Sequence, residues 1–113
     1  MDQKITRYQD ILKQLLSEYA ERFNQGTKGV SAQVIIDTER NHYQLLRLGW
    51  DNSRYTFSVV FHFDIKDGKI WLQENRTDIL IAKELVNLGV PSNDIVLGLQ
   101  APEDRMYTEY AAA

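Results

Sequence analysis

Residues 55–65 alternate more strictly than any other stretch of the chain, and they decide its fold class. Tyr55, Phe57, Val59, Phe61, Phe63 and Ile65 recur at every second position, with Thr56, Ser58, Val60, His62 and Asp64 between them. A period of two sends successive side chains to opposite sides of a strand. The run therefore predicts one long, half-buried strand with its six odd-numbered apolar residues on a single face. Asp67-Gly68 follows at once, and that pair suits a two-residue hairpin in which both central residues need positive φ. Residues 69–73 (Lys-Ile-Trp-Leu-Gln) then return as the next strand.

The same reasoning extends upstream. Residues 42–50 are rich in apolar and aromatic side chains, and Asp51-Asn52-Ser53 supplies turn chemistry before the long strand. Residues 33–37 (Gln-Val-Ile-Ile-Asp) form a shorter β-branched run, separated from 42–50 by the polar stretch 38–41. An antiparallel meander results. Ahead of it, Ile5, Tyr8, Leu12, Leu15, Tyr19 and Phe23 recur at steps of three and four, with Ile11 and Leu16 widening the stripe. That is an amphipathic helix over residues 3–24, and Gly26 suits its cap. Its stripe is broad enough to cover a sheet. After the fourth strand, Ile79, Ala82, Leu85 and Val86 predict a second helix, begun by Asn75 and Asp78 and stopped by Gly89 and Pro91. The short apolar run 95–97 and a tail rich in tyrosine, with Pro102 at a helix start, complete the chain. The expected architecture is α+β, one domain over residues 1–113, with a β-meander covered by the long N-terminal helix.

Composition narrows the chemistry. With no cysteine, disulfides, thiolate metal sites and cysteine nucleophiles are excluded. Thirteen basic residues against sixteen acidic ones give a net charge of -3, an unpromising balance for autonomous binding to a phosphate backbone. Only Arg40, Arg47 and Arg54 hint at a basic grouping. Met1 to Ile5 does not open a signal peptide, and no apolar run approaches the roughly 20 residues that span a bilayer, so a cytoplasmic protein is expected.

Few reactive side chains are available. Asp37-x-Glu39-x-x-His42 offers carboxylates and an imidazole, but a metal centre needs three or four ligands held by further partners, and a polar strand end explains the pattern more simply. His62 and Asp64 fall on one side of the third strand, where a solvent-facing polar row accounts for both. Asp64 and Lys66 stand two apart, as in some metal-dependent nucleases, with Asp51 as the partner such a site would require. Residues 26–29 lack the frame of a phosphate-binding loop. Trp50 and Trp71 are expected first as core anchors and second as interface residues. No catalytic residue, metal ligand or cofactor is assigned.

Three segments carry a specific resemblance. They are 36–45 (Ile-Asp-Thr-Glu-Arg-Asn-His-Tyr-Gln-Leu), 64–73 (Asp-Ile-Lys-Asp-Gly-Lys-Ile-Trp-Leu-Gln) and 88–98 (Leu-Gly-Val-Pro-Ser-Asn-Asp-Ile-Val-Leu-Gly), with Gly49-Trp50-Asp51 between the first two. In order and spacing they resemble the XisI family of cyanobacterial proteins, and the regions 8–19 and 105–108 fit as well. Mild departures fall at 73–76 and 100–101. The resemblance implies a controlling factor for excision of the fdxN element, a DNA segment removed by site-specific recombination during heterocyst development. It also implies a companion protein, XisH, and a separate recombinase that does the cutting and joining. No catalytic residues are carried over.

The expectation is thus an accessory protein that contacts an XisH-like companion and a site-specific recombinase without chemistry of its own. Its candidate contact residues are Arg40, His42, Arg47, Trp50, Trp71, Tyr107 and Tyr110, and self-association is open to a small sheet with an uncovered edge or face. Two alternatives stand beside it: a DNA-binding module using Arg40, Arg47 and Arg54, and a small metal-dependent nuclease using Asp51, Asp64 and Lys66.

Overall fold

The apolar stripe at the N-terminus forms helix α1 (Gln3–Asn24), which buries Tyr8, Leu12, Leu15, Leu16 and Tyr19. Gly26 follows it with φ +71°, the left-handed conformation a helix end favours. Strands β1 (Val30–Asp37), β2 (His42–Asp51), β3 (Arg54–Lys66) and β4 (Lys69–Asn75) come next. Helix α2 (Ile81–Asn87), a 3-10 turn (Ser92–Asp94), strand β5 (Ile95–Leu97) and the single-turn helix α3 (Pro102–Arg105) complete the chain. These elements are those of a computed structural model, which describes residues 3–26 and 28–113; Met1, Asp2 and Thr27, and with them part of the 26–29 loop, lie outside the described residues.

The five strands lie in sequence order, β1 to β5. The first four pair antiparallel, as the meander requires, while β5 runs parallel to β4. A parallel return needs a crossover, and α2 is that crossover. It lies beside α1, because Tyr19 Oη donates to Glu84 at 2.5–2.6 Å. Both helices therefore cover one face of the sheet. Between them and the sheet sit Tyr43, Leu45, Phe61, Phe63, Ile70, Leu72, Ile81, Leu85 and Ile95, all at most 4% exposed. The resulting fold is α+β, as expected.

Local chemistry explains most boundaries. Asp67 and Gly68 take φ +54° and +77°, the two positive values the β3–β4 turn demands. Gly89 takes φ +104° and Val90 N–H reaches back to Leu85 O at 3.0 Å, closing α2 before Pro91. The start of α2 departs from expectation. Asn75 caps no helix; its Oδ1 accepts from Thr77 N–H and Thr77 Oγ1, making a local turn, and α2 begins at Ile81. Strand β1 begins at Val30 rather than residue 33, because Asn24 anchors its start. Asn24 Oδ1 accepts from Ala32 N–H at 2.8 Å and Asn24 Nδ2 donates to Ala32 O at 3.1 Å. Nearby, Gly29 and Gly49 approach so closely that a Cβ on Gly49 would stand 1.9 Å from Gly29 O.

The main correction concerns β3. Leu45 pairs with Phe61 but Leu46 pairs with Val59, so Val60 is an extra residue and the strand bulges there. Residues after the bulge keep the expected face: Phe61, Phe63 and Ile65 point to the helices. Before it the parity inverts. Tyr55, Phe57 and Val59 share the opposite face with Trp50, Leu48 and Leu46, their partners on β2. The six apolar residues read as one stripe are two stripes on two faces.

Candidate functional site

The face of the sheet turned away from α1 and α2 has two ends of different chemistry. Alternation and register put His42, Gln44, Leu46, Leu48 and Trp50 of β2 on it, opposite Asp64, His62, Val59, Phe57 and Tyr55 of β3. Ile35 of β1 joins them through its pairing with Gln44.

At the apolar end, Trp50, Tyr55 and Phe57 are 58%, 50% and 64% exposed, while Ile35, 48% exposed, stands beside Gln44 toward the polar end. Trp50 and Tyr55 lie opposite each other across the β2–β3 ladder, with ring centroids 5.2 Å apart. Aromatic side chains contiguous on an uncovered sheet face are costly in water and are suited to burial against another surface. The expectation of a core anchor fails for Trp50, since its position on β2 turns it to the face away from the helices, where it is 58% exposed. Trp71 pairs with Asp64 on the same face, outside the core beneath the helices, and is 8% exposed because the Lys66 ammonium, 4.2 Å above its ring, and the Arg105 guanidinium at 5.2 Å cover it.

At the polar end, the register His42 to Asp64 and Gln44 to His62 draws three ionisable side chains together. His42 Nδ1 lies 2.6 Å from Asp64 Oδ1, and His62 Nε2 lies 2.8 Å from the same oxygen. Asp64 Oδ2 accepts from Gln73 Nε2 at 3.3 Å, and His62 Nδ1 meets Gln44 Oε1 at 2.9 Å. Partial burial would raise the pKa of Asp64, but the hydrogen bonds from His42 and His62 outweigh it and hold the carboxyl below its ordinary value. The sequence set His42 beside Asp37 and Glu39, and His62 beside Asp64. Structure instead joins His42 to His62 and Asp64, while Asp37 Oδ1 is occupied by the backbone N–H groups of Glu39 and Arg40. Pairing residues 42 and 64 across the hairpin was the signal available, and it needed the bulge to be counted.

The remaining candidates are dispersed. Arg40 sits in the β1–β2 turn with its side chain 72% exposed and Nη1 3.3 Å from Asp37 Oδ2. Arg47 pairs with Ala32 and Ser58, which places it on the helix side of the sheet. Arg54 opens β3 at the opposite end of β2 from Arg40. The three arginines therefore share no common surface. Asp51 pairs with Arg54, whereas Asp64 pairs with His42 at the other end of β2, about 30 Å away at strand rise, so the Asp51–Asp64–Lys66 constellation is not assembled. Tyr107 is 81% exposed, whereas Tyr110 packs against the core beside an open cleft of about 290 Å³ lined by Leu72, Ile79, Ala82, Leu97 and Leu99. No helix among the described residues is long and apolar enough to cross a membrane.

Comparison with known families and solved structures agrees with this fold. The chain matches the family described as XisI protein over residues 1–112. It is similar to the crystal structure of a XisI-like protein from Anabaena variabilis ATCC 29413, with 52% identity, a TM-score of 0.90, and 96% of this chain and 99% of that chain covered. It is also similar to the fdxN element excision controlling factor XisI from the same organism, with 33% identity, a TM-score of 0.83, and 97% and 99% covered. No curated protein matches. A family match across nearly every residue, joined to relatives of the same length and topology, leaves one conclusion: the chain belongs to the XisI family.

Proposed function

We propose that this protein is an accessory factor in the controlled excision of a DNA element, acting by docking a protein partner on the uncovered face of its sheet. The observation that carries the reading is the apolar end of that face, where Trp50, Tyr55 and Phe57 stand exposed side by side. Membership of a family whose relative is called an fdxN element excision controlling factor supplies the process. The partner is an XisH-like companion protein, through which the factor influences a site-specific recombinase. Contact energy in such interfaces concentrates in aromatic anchors, which this surface has, while charge steers encounter. The scattered arginines and the net charge of -3 favour a protein occupant over a phosphate backbone.

The test is a pull-down of the chain with its co-expressed XisH-like companion, before and after nuclease treatment. The companion should be recovered in both, and recovery should fall at least about tenfold for Trp50→Ser and Phe57→Ser. Both side chains are already exposed, so the variants should melt within about 2 °C of the parent. Recovery that vanishes with nuclease, or that survives both substitutions, overturns the proposal. A homodimer in light scattering that both substitutions dissociate would assign the face to a second copy instead.

A further inference from the structure

Divalent transition metals are held by imidazole nitrogens and carboxylate oxygens that converge on one point, with the ligands themselves steadied by further hydrogen bonds. The polar end of the uncovered face has this arrangement. One ligand atom each from His42, His62 and Asp64 lies within 4.8 Å of the other two. We propose that His42 Nδ1, His62 Nε2 and Asp64 Oδ1 form a binding site for a divalent transition metal of the zinc class, with its remaining coordination positions open.

Three features support this beyond proximity. First, Asp64 Oδ1 lies between both ring nitrogens at 2.6 and 2.8 Å. Tetrahedral ligands bound at about 2.0–2.1 Å stand about 3.3 Å apart, so the two nitrogen–oxygen distances need to open by about 0.5–0.7 Å while the ring nitrogens, within 4.8 Å of each other, settle to the same spacing. His42, with its side chain 52% exposed, has room to give that movement. Second, the supporting contacts are in place. Gln44 Oε1 at 2.9 Å is positioned to accept the Nδ1–H of His62, so an ion would take the place of the proton that Nε2 now shares with Asp64, and Gln73 Nε2 holds the second oxygen of Asp64. Third, the ligands come from adjacent strands of a hydrogen-bonded ladder, a frame that keeps their spacing without help from a loop.

The donor set selects the ion. Two imidazoles and one carboxylate suit zinc, nickel or copper, whereas magnesium and calcium prefer all-oxygen shells. Partial exposure of all three residues, with His62 and Asp64 side chains at 25% and 20%, leaves solvent access on one side. That is the geometry of an open site, able to take water or a ligand supplied by another molecule, and not of a closed structural centre.

The experiment uses the full chain with any affinity tag removed, stripped with chelator and titrated calorimetrically with Zn2+ alone, then with Mg2+. Co2+ serves as a second probe, because its visible d–d absorption intensifies and shifts from that of the aquo ion when imidazole and carboxylate ligands draw it toward four- or five-coordination. One Zn2+ per chain is expected, with Mg2+ bound at least about a hundredfold more weakly. His42→Ala should lower Zn2+ affinity at least about tenfold and leave the fold intact, since that side chain is half exposed. Asp64→Asn, checked by circular dichroism, should do the same. Zn2+ uptake unchanged in His42→Ala overturns the site, as does a Co2+ spectrum that stays that of the aquo ion, or equal affinity for Mg2+. In each of those results the cluster is a hydrogen-bonded triad and nothing more.

Discussion

Replacing Gly49 by alanine should destabilise this protein strongly, for reasons that can be worked from the backbone alone. Gly49 has φ +136°, a conformation that side chains rarely adopt. Its added Cβ would stand 1.9 Å from Gly29 O, 2.9 Å from Gly29 C and 3.0 Å from Val30 Cα. All three are main-chain atoms and cannot swing aside. An ordinary carbon–oxygen contact is about 3.3 Å, so β1 would have to retreat by more than an ångström from a strand to which it is hydrogen-bonded. Strained backbone costs about 1–3 kcal/mol and an overpacked methyl about 1–3 kcal/mol, giving about 2–6 kcal/mol together. In a chain of this length each kcal/mol moves Tm by about 4 °C, so a fall of about 8–24 °C is expected.

The comparison that isolates the cause is Gly26→Ala. Gly26 also has positive φ, +71°, but a Cβ there meets nothing within 4 Å. Only the conformational penalty of about 1 kcal/mol should remain. Urea denaturation and calorimetry of both variants give the two numbers. If Gly49→Ala costs no more than Gly26→Ala, the collision between β1 and β2 is not what makes residue 49 a glycine.

Two further outcomes follow from the core and from one ion pair. Leu16→Ala removes a fully buried side chain beneath α1 and should cost about 2–5 kcal/mol in urea, and a value under about 1 kcal/mol would mean that α1 contributes little to the core. Asp94 is subject to burial that raises its pKa, but Tyr8 Oη at 2.5 Å and Lys4 Nζ at 3.2 Å outweigh it and hold the carboxyl below its ordinary value. A carboxyl depressed on folding stabilises fully above its unfolded pKa of about 3.9 and loses that contribution as pH falls through the folded value. The stability gap between the parent and Asp94→Asn should therefore be widest near pH 6–7 and close on acidification below about pH 4; a gap constant from pH 7 to pH 3 would refute the linkage.

Much of this fold was legible because local chemistry and long-range packing agree. The α1 stripe, the Asp67-Gly68 turn and the Gly89-Pro91 stop each state their role within a few residues, and each is found where expected. The uncovered face was not legible, and Val60 is the reason. A bulge leaves almost no local mark; three apolar residues in a row, Val59-Val60-Phe61, are its trace. Counting parity through it sends Tyr55 and Phe57 into the core on paper, when they stand in solvent. The same extra residue decides which side chains of β2 meet those of β3, so the grouping of His42 with His62 and Asp64 was hidden with it. Trp50 illustrates the general limit. Its size argued for burial, but whether a large aromatic is covered depends on which face of β2 it takes, and the register turns Trp50 away from α1 and α2.

Asn24 also governs what the sheet can join. By holding both the N–H and the C=O of Ala32, its amide behaves as a one-residue dummy strand laid along β1. Alternate residues of β1 present their main-chain groups outward, and the stopper occupies that row near its beginning. At the far margin the final residues do similar duty, with Ala111 bridging to Val96 beyond the short β5. Lateral extension into fibres is thereby discouraged at both borders, and growth or recruitment is directed onto the flat of the sheet instead.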